Sequence, residues 1–138
     1  DNDGNAATTV SSTFTIDTVP PTLTISSPTA GLITNKTALN VTGKTNDATS
    51  SPITLTMTLN GTSLGTVTVG SDGSFTKAVT LAEGTNSIVV TAKDGAGQTT
   101  SITLSVKLDT TVPELTGITL AQNPVSTSAS VAITVEVS

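Results

Sequence analysis

The chain has 138 residues and a formal charge of −5, carried by ten acidic and five basic side chains, with no His and no Cys. Five lysines cannot neutralise many phosphates, which excludes nucleic acid as a partner, and the same balance excludes an anionic membrane surface. Without His or Cys there is no ordinary general base, zinc site or thiol nucleophile, and no disulfide scaffold.

Apolar content is almost wholly aliphatic, since the chain holds two Phe, no Tyr and no Trp. Thr supplies 32 residues, close to a quarter. A β-branched Thr is stiff at χ1 and suits a pleated strand, so Thr alternating with Val, Ile or Leu gives one apolar and one neutral polar face. No apolar run approaches the roughly 18 residues of a spanning helix, so no membrane insertion is expected. Asp1 opens no signal peptide, and the expectation is a piece processed or cut from something longer.

In chain order, "PTLTISSP" is the first predicted strand, with Leu23 and Ile25 on one face. "ALNVTGKT" follows with Leu39 and Val41, then "ITLTMTLN" with Ile53, Leu55, Met57 and Leu59. Asn60-Gly61 is a hairpin signal, because both residues tolerate the positive φ of a tight turn. In "SLGTVTV" the apolar parity changes between Leu64 and Val67, which predicts a bulge near Gly65. After the turn "GSDG" comes "SFTKAVTL" with Phe75, Val79 and Leu81 inward. "AEGT" turns into "NSIVVTA" with Ile88, Val90 and Ala92, and "DGAGQ" turns into "TSITLSVKL" with Ile102, Leu104, Val106 and Leu108. Seven short antiparallel strands joined by polar turns predict an all-β, immunoglobulin-like two-sheet sandwich.

The sequence also repeats itself. "STFTIDTVPPTLT" (residues 12–24) matches "LSVKLDTTVPELT" (residues 104–116) at a spacing of 92, so that Phe14 falls on Val106, Ile16 on Leu108 and Asp17 on Asp109. A period near 90 residues is too long for a solenoid turn and suits an array of domains. Residues 17–109 are the expected complete unit, residues 1–16 the last strand of a preceding repeat, and residues 110–138 the first strands of an incomplete next one. That last stretch, "GITLAQNPVSTSASVAITVEVS" after Thr116, departs from the first repeat and reads as two strands around an Asn-Pro turn. It needs a partner in further chain, in another copy or in residues 1–16.

With these motifs in view, "DTVPPTLTISSPTAG" and "GSDGSFTKAVTLAEGTNSIVVTAKDGAGQTTSITLSVKLDTTVP" resemble the bacterial immunoglobulin-like repeats of large secreted and surface proteins. The shared features are the Asp-Thr-x-x-Pro linker, the Asp-Gly-x-Phe hairpin, the Glu-Gly-x-Asn turn and the Asp-x-x-Gly loop. The resemblance covers residues 1–116 and implies an extracellular or cell-surface location. Such repeats serve adhesins, surface layers and enzyme spacers alike.

Alternating strand direction assigns the loops to poles. Asp17 before the first strand, Asp47, Asp72 and Asp94 all fall on the pole facing the preceding unit, and Glu83 falls on the other. Carboxylates gathered there repel one another unless a hard cation such as Ca²⁺ joins them, with Asp17, Asp47 and Asp94 the best ligands. The alternative is turn chemistry alone, in which each Asp caps its own backbone two residues on; Asp72 fits that best. "DNDGN" (Asp1, Asp3, Asn5) imitates part of a calcium loop but lacks the rest of the twelve-residue pattern.

Lys44, Lys77 and Lys93 are candidates for an amide cross-link only if buried beside a carboxylate. Asn35, Asn40 and Asn60 satisfy the glycosylation sequon. Glu83, Glu114 and Glu136 fall on separate loops or strands, which gives a paired-carboxylate hydrolase no support, and no enzyme is expected. The expected function is a structural spacer or presentation module of a multi-repeat surface protein, whose partners are adjacent repeats or neighbouring copies. The alternatives are a filament subunit assembling by strand exchange and an adhesin module that binds a host or cell-surface protein.

Overall fold

The computed structural model describes residues 10–14, 16–47 and 52–114. Among them there is no helix; the chain forms β1 (Thr22–Ser27), β2 (Ile33–Thr34), β3 (Ala38–Asn46), β4 (Thr54–Leu59), β5 (Thr62–Val67), β6 (Ser74–Thr80), β7 (Gly84–Lys93) and β8 (Thr99–Leu108). They build two facing sheets, one ordered β1-β3-β6 and the other β2-β8-β7-β4-β5. All seven expected strands are present, and the alternation that defined them also sets their faces. Val41, Leu55, Met57, Phe75, Ile88, Val90, Val106 and Leu108 are buried in the core between the sheets. Thr residues at the intervening positions of β4 and β6 lie outward.

The turn chemistry is equally local. Leu59 pairs with Thr62, and Asn60 and Gly61 between them take φ of 51° and 79°, as a two-residue hairpin requires. Thr56 pairs with Thr66 and Thr58 with Ser63, so Met57 opposes both Leu64 and Gly65. The parity change in the sequence is therefore a bulge on β5.

β2 is an element with no sequence signal, because two residues have no period. It pairs parallel to the end of β8, with Ile33 opposite Lys107 and Thr34 opposite Leu108. Hydrogen bonds from Lys107 N to Leu32 O (2.8 Å) and from Asp109 N to Thr34 O (2.9 Å) complete the contact. The chain thus crosses from the first sheet to the second right after β1 and fastens the strand by which it leaves. Gly43 on β3 is required by a close approach: a Cβ there would meet the Thr24 carbonyl and the Phe75 ring, at 2.7 Å from the nearest ring atom.

At the pole of the β6–β7 turn the core is closed by Asn86, which is fully buried. Its Oδ1 accepts from Ala82 N (2.9 Å) and from Asn60 Nδ2 (3.0 Å), and its Nδ2 donates to Ala82 O (2.7 Å) and Gly84 O (3.0 Å). This is the Asn of the Glu-Gly-x-Asn motif. It locks the β6–β7 turn and docks the β4–β5 hairpin onto it. Because Asn60 Nδ2 is engaged there, a glycan at Asn60 would have to break the network, whereas Asn35 and Asn40 are exposed. Asn86→Ala strands several buried donors and acceptors and is expected to cost about 2–4 kcal/mol. With no Tyr or Trp to report, the measurement is urea unfolding followed by far-ultraviolet circular dichroism.

Candidate functional site

The pole opposite Asn86 is held together by polar contacts between the incoming chain and three turns. Pro21 is buried, and its carbonyl accepts from Thr100 Oγ1 at 2.6 Å. Thr45, also buried, donates through Oγ1 to Thr22 O (2.7 Å) and through its amide to Gly73 O (2.9 Å). These bonds fix the start of β1, the end of β3, the β5–β6 turn and the start of β8 relative to one another. Sequence reading does not single out Thr45 or Thr100, because in a Thr-rich chain nothing marks the buried ones.

On this frame stand the aspartates. Asp17 lies in the chain leading to β1, and its Oδ1 accepts from Val19 N at 3.0 Å. Asp47 follows β3 directly. Asp94 follows β7 in the "DGAGQ" turn; its amide donates to Gln98 O (3.1 Å) and its Oδ1 accepts from Gln98 N (2.8 Å). One carboxylate oxygen from each of Asp17, Asp47 and Asp94 lies within 4.8 Å of the others. Asp94 is only 5% exposed, and its Oδ2 is buried without a hydrogen-bond partner. Beside Asp47 opens a cleft of about 250 Å³ lined by Thr45, Ile53, Val69, Ser71 and Gly73 among others.

Asp72 shares the pole but not the cluster. Its Oδ1 accepts from Ser74 N (3.1 Å) and Ser74 Oγ (2.6 Å), and its Oδ2 faces Lys44 Nζ at 3.5 Å. It serves its hairpin. Asp109 repeats the local pattern of Asp17 one period later: Thr111 donates to its Oδ1 through both amide and hydroxyl, while Lys107 Nζ sits 3.2 Å from Oδ2. The Thr111 hydroxyl, with Lys107 second, holds the Asp109 carboxyl below the usual range. Asp1, Asp3 and Asn5 lie outside the described residues.

At the far pole, Glu83 accepts from Thr110 N (3.2 Å) and Thr110 Oγ1 (2.8 Å), which clamps the outgoing chain to the β6–β7 turn. Lys44 is well exposed in its pair with exposed Asp72, and Lys93 is exposed, so neither is the buried lysine that an amide cross-link needs. Glu114 is exposed, and Glu136 lies outside the described residues.

The architecture and its poles define an immunoglobulin-like sandwich with fastened incoming and outgoing chain. The family model for glucodextranase, domain B, matches residues 21–110, and the chain belongs to that family. No curated protein matches. Among solved structures, the fibronectin(III)-like modules of CbhA from Clostridium thermocellum share 19% identity at a TM-score of 0.52, covering 65% of this chain and 47% of that one. The endo-beta-1,4-mannanase from Thermotoga petrophila shares 13% identity at a TM-score of 0.56, covering 67% of this chain and 20% of that one. The chain therefore spans about half of the first and a fifth of the second. At such identities the likeness is one of fold. It shows an immunoglobulin-like sandwich and does not single out the bacterial immunoglobulin-like repeat.

The Ser74 hydroxyl, followed by the Ser74 amide, lowers the Asp72 pKa from 3.8 to about 2. A depressed carboxyl contributes its stability above the ordinary value and loses it as pH falls from there toward 2. Carbon-detected NMR of the Asp72 carboxyl is expected to show a midpoint near 2. In Ser74→Ala the midpoint is expected to move up toward 3.8.

Proposed function

We propose that this domain is a non-catalytic spacer, one link in a tandem array of immunoglobulin-like repeats that works outside the cell or on its surface. The observation that carries the reading is a mismatch in burial. Phe14 and Ile16 are 84% and 74% exposed, whereas Val106 and Leu108, which occupy the same places one period later, are 0% and 2% exposed on β8. Described residues 10–14 and 16 lie outside both sheets. A segment written like β8 but lacking a sandwich to enter fits the closing strand of a preceding unit. Val10, at 90% exposure, extends the same unpartnered stretch.

The junctions support a spacer. Pro20 and Pro21 fix φ in the incoming chain and Pro113 does so in the outgoing chain, which reduces hinge freedom. Glu83, by holding Thr110, sets the direction in which the chain leaves. A flat sugar platform has little support, because such faces stack on Trp or Tyr and the chain has neither.

The same exposed segment also fits a second reading, in which residues 1–16 complete the sandwich of a neighbouring copy by strand addition. Sedimentation separates the two: the spacer is expected to remain monomeric at high concentration, and concentration-dependent growth would favour the filament. Adhesin activity would appear as retention of the isolated domain on cells, where none is expected. In a chain carrying two units in series, Phe14→Ser is expected to destabilise the preceding unit by about 3 kcal/mol and leave the melting of this one unchanged. Equal, negligible effects on both would refute the array. Small-angle scattering of the same chain is expected to give a narrow distribution of angles between units.

A further inference from the structure

We infer that Asp17, Asp47 and Asp94 form a Ca²⁺ site that ties the incoming chain to the β3–β4 and β7–β8 turns. The site is independent of the array, because all three residues belong to this chain. They come from three separate segments, yet each brings a carboxylate oxygen within 4.8 Å of the other two. That span fits inside the shell of a cation that holds oxygens at about 2.3–2.6 Å.

Turn capping alone does not account for the arrangement. Asp72 and Asp109 also cap turns through Oδ1, and each presents its second oxygen to a lysine, Lys44 and Lys107 respectively. Asp94 caps the β7–β8 turn through Oδ1 in the same way. Its Oδ2, however, is buried with no hydrogen-bond partner, on a residue 5% exposed, in the company of two further carboxylates. A buried anionic oxygen with no donor is a costly state, and gathering like charges around it adds repulsion. A hard divalent cation removes both costs. Oxygen-only ligands on the incoming chain and two turns of irregular geometry suit Ca²⁺ better than Mg²⁺, which demands a near-ideal octahedron and gives up its water reluctantly.

The position of Asp17 gives the site its consequence. Asp17 lies before β1 in the incoming chain, so a bound ion fixes that chain against the pole and restricts whatever precedes it. The ion would act as a removable brace at the hinge.

The test is calorimetry on the chain as it stands, stripped with chelator and titrated with CaCl₂ or MgCl₂, with melting followed in parallel. Millimolar Ca²⁺ is expected to raise Tm by about 5 °C or more. Asp94→Asn keeps an Oδ1 to accept from Gln98 N; it is expected to abolish the Ca²⁺ shift while melting at or above the parent in chelator, because repulsion is relieved. Asp17→Asn should behave likewise, and Asp72→Asn should retain the parent shift. Coincident parent curves in Ca²⁺ and chelator would overturn the site, as would a full shift in Asp94→Asn. Lower melting of both cluster variants in both buffers, with no Ca²⁺ response in the parent, would reduce the aspartates to turn caps. An equal response to Mg²⁺ would overturn the choice of ion.

Discussion

The interior of this domain is closed by aliphatic side chains that alternate with threonine along facing strands, and every other feature depends on that alternation. Because the side-chain period is two, a strand that puts Ile88, Val90 and Ala92 inward must put its neighbours outward. A slip of one residue would send the whole set to solvent. Phe75 is the only aromatic side chain in the core, and it has room only because Gly43 opposite lacks a Cβ. Packing of small branched groups leaves little slack, so register has to be enforced at the strand ends.

Enforcement differs at the two poles. At the β6–β7 pole it is a buried amide: Asn86 satisfies both turns that meet there and leaves the sandwich sealed. At the incoming pole the bonds of Thr45, Thr22, Gly73, Pro21 and Thr100 hold the segments. One side effect is that carboxylates capping separate turns are brought together. A neutral seal and a charged one differ. In the first, the Asn86 side chain is hydrogen-bonded through both its oxygen and its nitrogen, whereas in the second Asp94 Oδ2 is buried without a hydrogen-bond partner.

Incoming and outgoing chain are also treated differently. Asp17 and Asp109 carry out the same local task, accepting from an amide two residues on, but their carboxylates have different neighbours. Asp109 meets Lys107 near the end of β8, and Asp17 meets the carboxylates of two turns. Copies of one motif thus acquire separate roles from what the sandwich presents to each. The same holds for Ile16 and Leu108, alike in sequence and opposite in burial.

Local residue patterns suffice for the number and faces of the seven main strands, the Asn60-Gly61 hairpin, the bulge at Gly65 and the grouping of Asp17, Asp47, Asp72 and Asp94 on one pole. All of these follow from periodicity, turn preference and strand direction, which are properties of neighbouring residues. The remaining features arise from packing between distant segments. The parallel docking of Ile33–Thr34 on β8 has no local pattern to betray it. Asn86 was visible as part of a motif, but its bond to Asn60, 26 residues away, was not. Of the four aspartates on the pole, three converge and Asp72 turns aside to Lys44. Which side chains converge depends on how two twisted sheets pack, and that distance is not encoded in any short stretch of chain.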